Sequence, residues 1–274
     1  MVSSVSIIIV NYNTFQLTCN CIESVYQKCI GIDFEIILVD NASQECNPNI
    51  FSEKFPAIKL ISSPENVGFS KGNNLGIAVA QGEYILLLNS DTELVNDAIS
   101  ICVNYLKNHS DVAVVTTKLI FEDGRTQSVA QRFPNIIWNI LELLRFQKFF
   151  PKIGERLLMG GFFDYKTELE IDWTWGAFFM FPKYLLKQIP NQKLNDDFFM
   201  YCEDMLWCWN FKKIGYKIMY IPYGEVFHIF GGTSSIGYRK AQLKINHHLF
   251  ITQNYSKLKS WFVIKMEDLM GKSD

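Results

Sequence analysis

The chain has 274 residues, 49% hydrophobic and 15% aromatic, enough for one large α/β domain or a domain plus a helical appendage. A formal net charge of −2 gives no sign of the basic stripe by which nucleic-acid binders are read, so no nucleic-acid partner is expected. Seven cysteines form no Cys-x-x-Cys pair and leave an odd thiol, which fits a reduced cytosolic protein better than a disulfide framework.

The start, Met1 to Val10, has no basic leader and too short an apolar run for a signal peptide. No stretch reaches the roughly 18 apolar residues that span a bilayer. The expectation is a cytoplasmic chain, soluble or peripheral at the inner face of the plasma membrane.

From Val5 the sequence alternates strand-like and helix-like segments. Val5–Val10 is a β-branched run of the kind buried on both faces of a sheet, and Thr14–Tyr26 has helical spacing of Leu17, Cys21, Ile22 and Val25. Strands are expected at Phe34–Val39, Ile58–Ile61, Tyr84–Leu88 and Val112–Leu119, with helices at Phe69–Ala80 and Ala98–Leu106. Repeated strand–helix–strand units imply an α/β fold with a mainly parallel, doubly wound sheet. Beyond it the pattern predicts an amphipathic helix over Asn135–Phe150, a strand over Trp173–Phe181, a helix over Glu203–Lys213, a strand over Lys217–Ile221 and a C-terminal helical stretch over Gln242–Ile264. The proposed division is a domain over 1–237, with halves 1–120 and 121–237, and a helical tail over 238–274.

Polar residues fall just past the strand ends, where such sheets bind ligands. Asn11 and Asn13 follow the first strand, Asp40 and Asn41 the second, and Asn89 and Asp91 the fourth. Asp91 at a buried strand end either holds Mg²⁺ or Mn²⁺ through oxygen or caps a turn. Asp40 either accepts the imide N–H of a uracil or thymine or closes an Asx turn. Asn66 through Asn74 contains Gly68 and Gly72 and opens a helix, so it is either an anion-binding loop or an ordinary helix start. It has neither the Walker nor the dinucleotide spacing.

Glu203 and Asp204 lie in an aromatic segment whose desolvation would suit a general base, although a helix N-terminus also favours acids. His228 precedes Gly231-Gly232 and Thr233-Ser234-Ser235, which would suit a loop closing over phosphates; alone it reads equally as a core histidine.

In combination these segments resemble glycosyltransferase family 2, in particular its bacterial rhamnosyltransferase-like branch. The likeness runs from Ser4 to about Ser235. It is carried by Ser6–Asn13, Val39–Ser43, Asn66–Gly76, Gly82–Asp91, Asp123-Gly124, Phe133-Pro134, Trp175-Gly176-Ala177, Phe198–Tyr201, Glu203-Asp204 and His228. The resemblance implies the nucleotide-sugar-binding fold called GT-A and inversion at the anomeric carbon. It assigns Asp40 to the base and Asn11, Asn13, Asn66, Gly68, Asn73, Asn74, Asn89, Trp175 and Gly176 to the nucleotide-sugar pocket. Asp91 becomes the metal ligand, His228 a metal or diphosphate contact, Asp204 the catalytic base and Glu203 its catalytic neighbour. Leu206, Asn210 and Asn195 depart from the family pattern, where Asp, Arg and Asp are common.

The implied partners are a dTDP- or UDP-sugar, a saccharide or lipid-linked acceptor of surface-polysaccharide synthesis, and Mn²⁺ or Mg²⁺. Two rivals stand beside this: a sugar nucleotidyltransferase, whose Gly-rich, basic signature is missing from Ser6–Asn13, and a nucleotide-sugar-binding protein that has lost turnover. Ile136–Phe150 and Leu258–Met266 mix aromatics with Lys and Arg as interfacial helices do; the alternative is core or homodimer packing.

Overall fold

A computed structural model describes residues 4–229 and 236–271. In chain order the elements are β1 (Val5–Asn11), α1 (Phe15–Lys28), β2 (Phe34–Asp40), α2 (Asn49–Lys54), β3 (Lys59–Ser62), α3 (Phe69–Val79), β4 (Tyr84–Asn89), β5 (Thr92–Leu94), α4 (Ala98–Asn108) and β6 (Val112–Ile120). There follow α5 (Ile136–Leu143), α6 (Phe146–Phe149), α7 (Pro151–Leu158), β7 (Leu169–Ile171), β8 (Phe178–Pro182), α8 (Glu203–Lys213), β9 (Lys217–His228), α9 (Ile236–Asn254) and α10 (Lys257–Leu269).

The strands form one sheet in the order β3-β2-β1-β4-β8-β6-β9-β5, with β7 added on β9. β1, β2, β3 and β4 are parallel, as are β6 and β9; β8 runs antiparallel between β4 and β6. The centre is buried on both faces, which is why Ile7, Ile8, Ile9 and Leu86-Leu87 form unbroken apolar runs without alternation. The chain reverses its direction of travel across the sheet between β1 and β4, the switch at which open α/β sheets leave a crevice. In register, Asn11 pairs with Asp40 and Val10 with Asn89, so the polar strand ends sit side by side. Gly82 is required where α3 turns into β4: a Cβ there would lie 2.5 Å from the Ser6 backbone nitrogen.

The second half departs from the expected boundaries for local reasons. The helix expected over 135–150 breaks at Arg145, which is left-handed (φ 53°), and α7 restarts on Pro151 at its first turn. The strand expected from Trp173 starts only at Phe178, because Trp173 to Ala177 turn aside as a loop whose ends bond to Gln131 and Asn89. β9 runs seven residues past Ile221, through a register shift near Thr117, and ends on His228. The C-terminal stretch is two helices, and residues 237 and 238 fall in the first turn of α9. All seven cysteines are free thiols.

Candidate active site

The turn between β4 and β5 is Asn89-Ser90-Asp91. The Thr92 hydroxyl donates to the Asn89 carbonyl at 2.7 Å, and Thr92 pairs with His228 across the antiparallel β5–β9 ladder. This register sets the His228 ring beside the turn: Nε2 lies 3.5 Å from Asp91 Oδ1 and 3.5 Å from Asn89 Nδ2. On the ring's other side Nδ1 is 2.7 Å from Gln127 Oε1, and Gln127 Nε2 donates to the His228 carbonyl at 2.8 Å. Because that second bond fixes Oε1 as the acceptor, the imidazole carries its proton on Nδ1, and in the neutral ring Nε2 presents a lone pair towards Asp91.

Asn89 Oδ1 is buried with no hydrogen-bond partner. A carboxylate, an imidazole nitrogen and an orphaned amide oxygen thus border one stretch of wall, a donor set that suits Mg²⁺ or Mn²⁺. Among the described residues no group of three or more His, Cys, Asp or Glu side chains is placed to hold a metal alone. An ion here would therefore complete its shell with ligand oxygens, as Mg²⁺ does with substrate phosphates.

Asp204 reaches the same cleft from the first turn of α8. The two residues before the helix, Tyr201 and Cys202, are both left-handed (φ 73° and 68°), a conformation that costs non-glycine residues roughly 1–3 kcal/mol each. Buried Asn246 of α9 holds this strained step: its Nδ2 donates to the Met200 and Tyr201 carbonyls, both at 2.9 Å, and Gln242 Nε2 donates to its Oδ1 at 3.0 Å.

The Asp204 carboxylate accepts the Gly176 N–H on Oδ2 at 3.0 Å and the Met205 N–H on Oδ1 at 2.8 Å. Desolvation outweighs these bonds and raises its pKa to about 6. Burial, and then the Asp204 charge, push the Glu203 carboxyl well above the ordinary carboxylate range, and its Oε2 has no partner. Asp204 is a more avid proton acceptor than an ordinary aspartate, the property a general base needs.

Asp91, His228, Asn89, Asp204 and Glu203 line one cleft of about 450 Å³. Trp175 and Gly176 form its wall at β8, and Asn66 its wall at α3. The Asn66–Gly68 loop is fastened by Asn41, whose Nδ2 donates to Asn66 Oδ1 at 2.9 Å and whose Oδ1 accepts the Val67 N–H at 2.9 Å.

The remaining expected pocket residues do not line the cleft. Buried Asn11 bonds Asp40 and Ser43 through Nδ2 and Thr14 and Thr18 through Oδ1, clamping β1 to β2. Asp40 accepts from Asn11 and from the Ser43 N–H at 3.2 Å, the turn-closing role among its two alternatives. Asn13 is exposed and accepts the Gln44 N–H. Gly68 is left-handed (φ 85°), and a Cβ on it would collide with the Phe199 carbonyl. Asn73 donates to the Phe69 carbonyl, and Asn74 exchanges hydrogen bonds with the Leu194 backbone. These three shape the loop and anchor α3 instead of facing the cleft. The segment from Phe230 to Ser235, including Gly231-Gly232, lies outside the described residues.

Several lining residues escaped sequence reasoning, among them Tyr12, exposed beyond β1, and Arg239 of α9. Tyr12 stood between the two asparagines of the first strand end. Arg239 gave no signal, since only the packing of α9 brings it to the cleft.

A family model for glycosyl transferase family 2 matches residues 6–173. The chain is similar to the minor teichoic acid biosynthesis protein GgaB of Bacillus subtilis (strain 168), 27% identical over 126 residues that cover 44% of this chain and 14% of that protein. It is similar also to the poly(ribitol-phosphate) beta-glucosyltransferase of Bacillus spizizenii, 32% identical over 131 residues that cover 46% of this chain and 21% of that protein. These matches thus take up less than a quarter of either relative. The crystal structure of S. aureus TarS aligns with a TM-score of 0.59 at 15% identity, over 95% of this chain and 42% of that one. The sheet order, the crevice at its switch point and this alignment give the fold as GT-A. With the family model covering well over half of its length, the chain belongs to glycosyltransferase family 2.

Proposed function

We propose that the chain is a metal-dependent, inverting glycosyltransferase that moves a sugar from a nucleotide diphosphate to a hydroxyl of a saccharide or lipid-linked acceptor in surface-polysaccharide synthesis. The observation that carries this reading is the convergence on one cleft of Asp91 with Asp204 and His228, which lie more than a hundred residues further along the chain. The cleft volume falls in the range of small-molecule and cofactor sites.

Asp91, His228 and Asn89 would hold the ion. Bound there, Mg²⁺ or Mn²⁺ supplies positive charge against the departing diphosphate. Asp204 accepts the proton of the attacking hydroxyl, held in orientation by the Gly176 and Met205 N–H groups. Glu203, whose carboxyl is pushed well above the ordinary range by burial and the neighbouring Asp204 charge, is the weaker charge of the pair, and the base role falls to Asp204 with its two backbone N–H partners. A single base with direct attack on the anomeric carbon corresponds to inversion. Trp175 and Tyr12 offer aromatic faces for the donor, and Asn66 an amide.

General-base catalysis is typically worth about 10²–10⁴-fold. Asp204→Asn is expected to lose transfer by that order while keeping metal-dependent thermal stabilisation by a UDP- or dTDP-sugar. Transfer by this variant at the wild-type rate would remove the base assignment. A binding protein without turnover would show the stabilisation and no transfer in the wild type. A panel of nucleotide sugars read the same way tests the rhamnosyltransferase-like branch, because ligand binding to the native state raises its stability.

A further inference from the structure

Two helices of the second half leave much of their apolar surface exposed. α5 buries one residue, the polar Asn139, while Ile137, Ile140, Leu143 and Leu144 are exposed, Leu143 at 61%. α10 buries Ser260, Val263 and Glu267 and exposes Leu258 (70%), Trp261 (56%) and Phe262. On the other side of α5, the α6–α7 segment adds exposed Phe149 (75%), Phe150 and Ile153. α5 packs against α6, α7 and α10, so these side chains belong to one group of adjoining helices.

Surface helices ordinarily turn such residues inward, and large exposed apolar side chains gathered on adjoining helices mark an interaction surface. Cations accompany the patch. Residues 136–158 and 257–269 together hold seven basic and four acidic side chains. Of the basic ones Arg145, Lys148, Lys152, Lys257 and Lys265 are exposed, and these five make no ion pair among the described residues. One of the four acids, Glu267, is buried against His247 at 3.0 Å.

We propose that this face is a docking surface for an anionic lipid bilayer, on which the apolar side chains enter the headgroup layer and the flanking cations meet lipid phosphates. Apolar anchors beside Lys and Arg are what interfacial binding requires. A second copy of the chain fits less well, because a two-fold contact would set the same cations against each other. Among the described residues no helix is long and apolar enough to cross a membrane, so the contact is peripheral. The helices concerned also wall, together with α9, a second cleft of about 490 Å³ that meets the donor cleft at Trp173, Cys202 and Leu243. A bilayer on their outer faces would bring a membrane-borne acceptor within one helix layer of the cleft that contains Asp204. The docking inference itself stands on the surface alone and does not need the transfer reading.

Co-sedimentation with vesicles of phosphatidylcholine, and of phosphatidylcholine with roughly one third phosphatidylglycerol, tests it. Binding to the anionic vesicles is expected, released by salt. F149E/I153E should weaken it at least about tenfold, and K148E/K152E by a similar factor, with both variants melting as the wild type does. Both variants should also keep wild-type transfer to a soluble acceptor, a readout independent of docking. The proposal is overturned if the wild type ignores anionic vesicles, if both variants bind as the wild type does, or if the wild type is a dimer that F149E/I153E splits.

Discussion

The parallel sheet around β1 and the helical group of α5, α6, α7 and α10 use the same apolar residue types to opposite ends. In the sheet, burial follows the apolar pattern closely: Ile7, Ile8, Ile9 and Ile37 are sealed, and polar residues appear only at the strand tips. In α5 and α10 the correspondence loosens, with Asn139 and Ser260 buried beside Val263 while several leucines and aromatics stay outside. An apolar run therefore reports a need for an apolar neighbour. It does not say whether that neighbour is the protein's own core.

The contrast can be broken or sharpened by substitution. The largest effect is expected in the sheet, where Ile37→Ala should cost about 2–5 kcal/mol in chemical denaturation, since the close-packed layers on either side cannot collapse into the cavity. A loss under 1 kcal/mol would mean that the sheet centre is looser than its burial indicates. Next comes Asn246→Ala, which withdraws two hydrogen bonds from carbonyls of a strained step and should cost roughly 1–3 kcal/mol. Its distinguishing mark is a fall in kcat with donor stabilisation unchanged; an intact kcat would make Asn246 a packing residue only.

The protonation of Asp204 gives a third, with opposite signs for rate and stability. Its folded-state pKa is raised from 3.8 to about 6, so its proton stabilises the fold at low pH and that contribution is lost as pH rises through about 6. Transfer should fall about tenfold per pH unit below that value, while Asp204→Asn should melt higher than the wild type above pH ~7. A flat rate between pH 5 and 8, or a lower melting point for the variant, would contradict the burial argument. The smallest effect is Ile140→Ser on α5, expected within about 0.5 kcal/mol in the absence of lipid. A cost of 2 kcal/mol there would show that the helix already has an apolar partner within the protein.

Much of this was legible before any coordinates. Strand periodicity placed β1, β2, β4 and β6 to within a residue or two, because buried parallel strands leave an unmistakable β-branched run. Polar strand ends brought Asn89 and Asp91 forward, and the family resemblance assigned Asp204, Glu203 and His228; all five line one cleft. Neither separated residues that face the cleft from those that brace it. Asn11, Asp40, Asn73 and Asn74 look alike in sequence whether they reach a ligand or bond the backbone, and only their hydrogen-bond partners decide. The break at Arg145 was hidden, since nothing in a single arginine announces a left-handed backbone. Arg239 depended on the docking of α9, a long-range event with no local trace.

The clamp of Asn246 on the left-handed Tyr201–Cys202 step changes what the C-terminal helices are for. A segment that seems a dispensable appendage in the linear map is a brace for the Asp204 carboxylate, gripping the turn from which that carboxylate springs. Whatever shifts α9 is mechanically linked to the position of the Asp204 carboxylate.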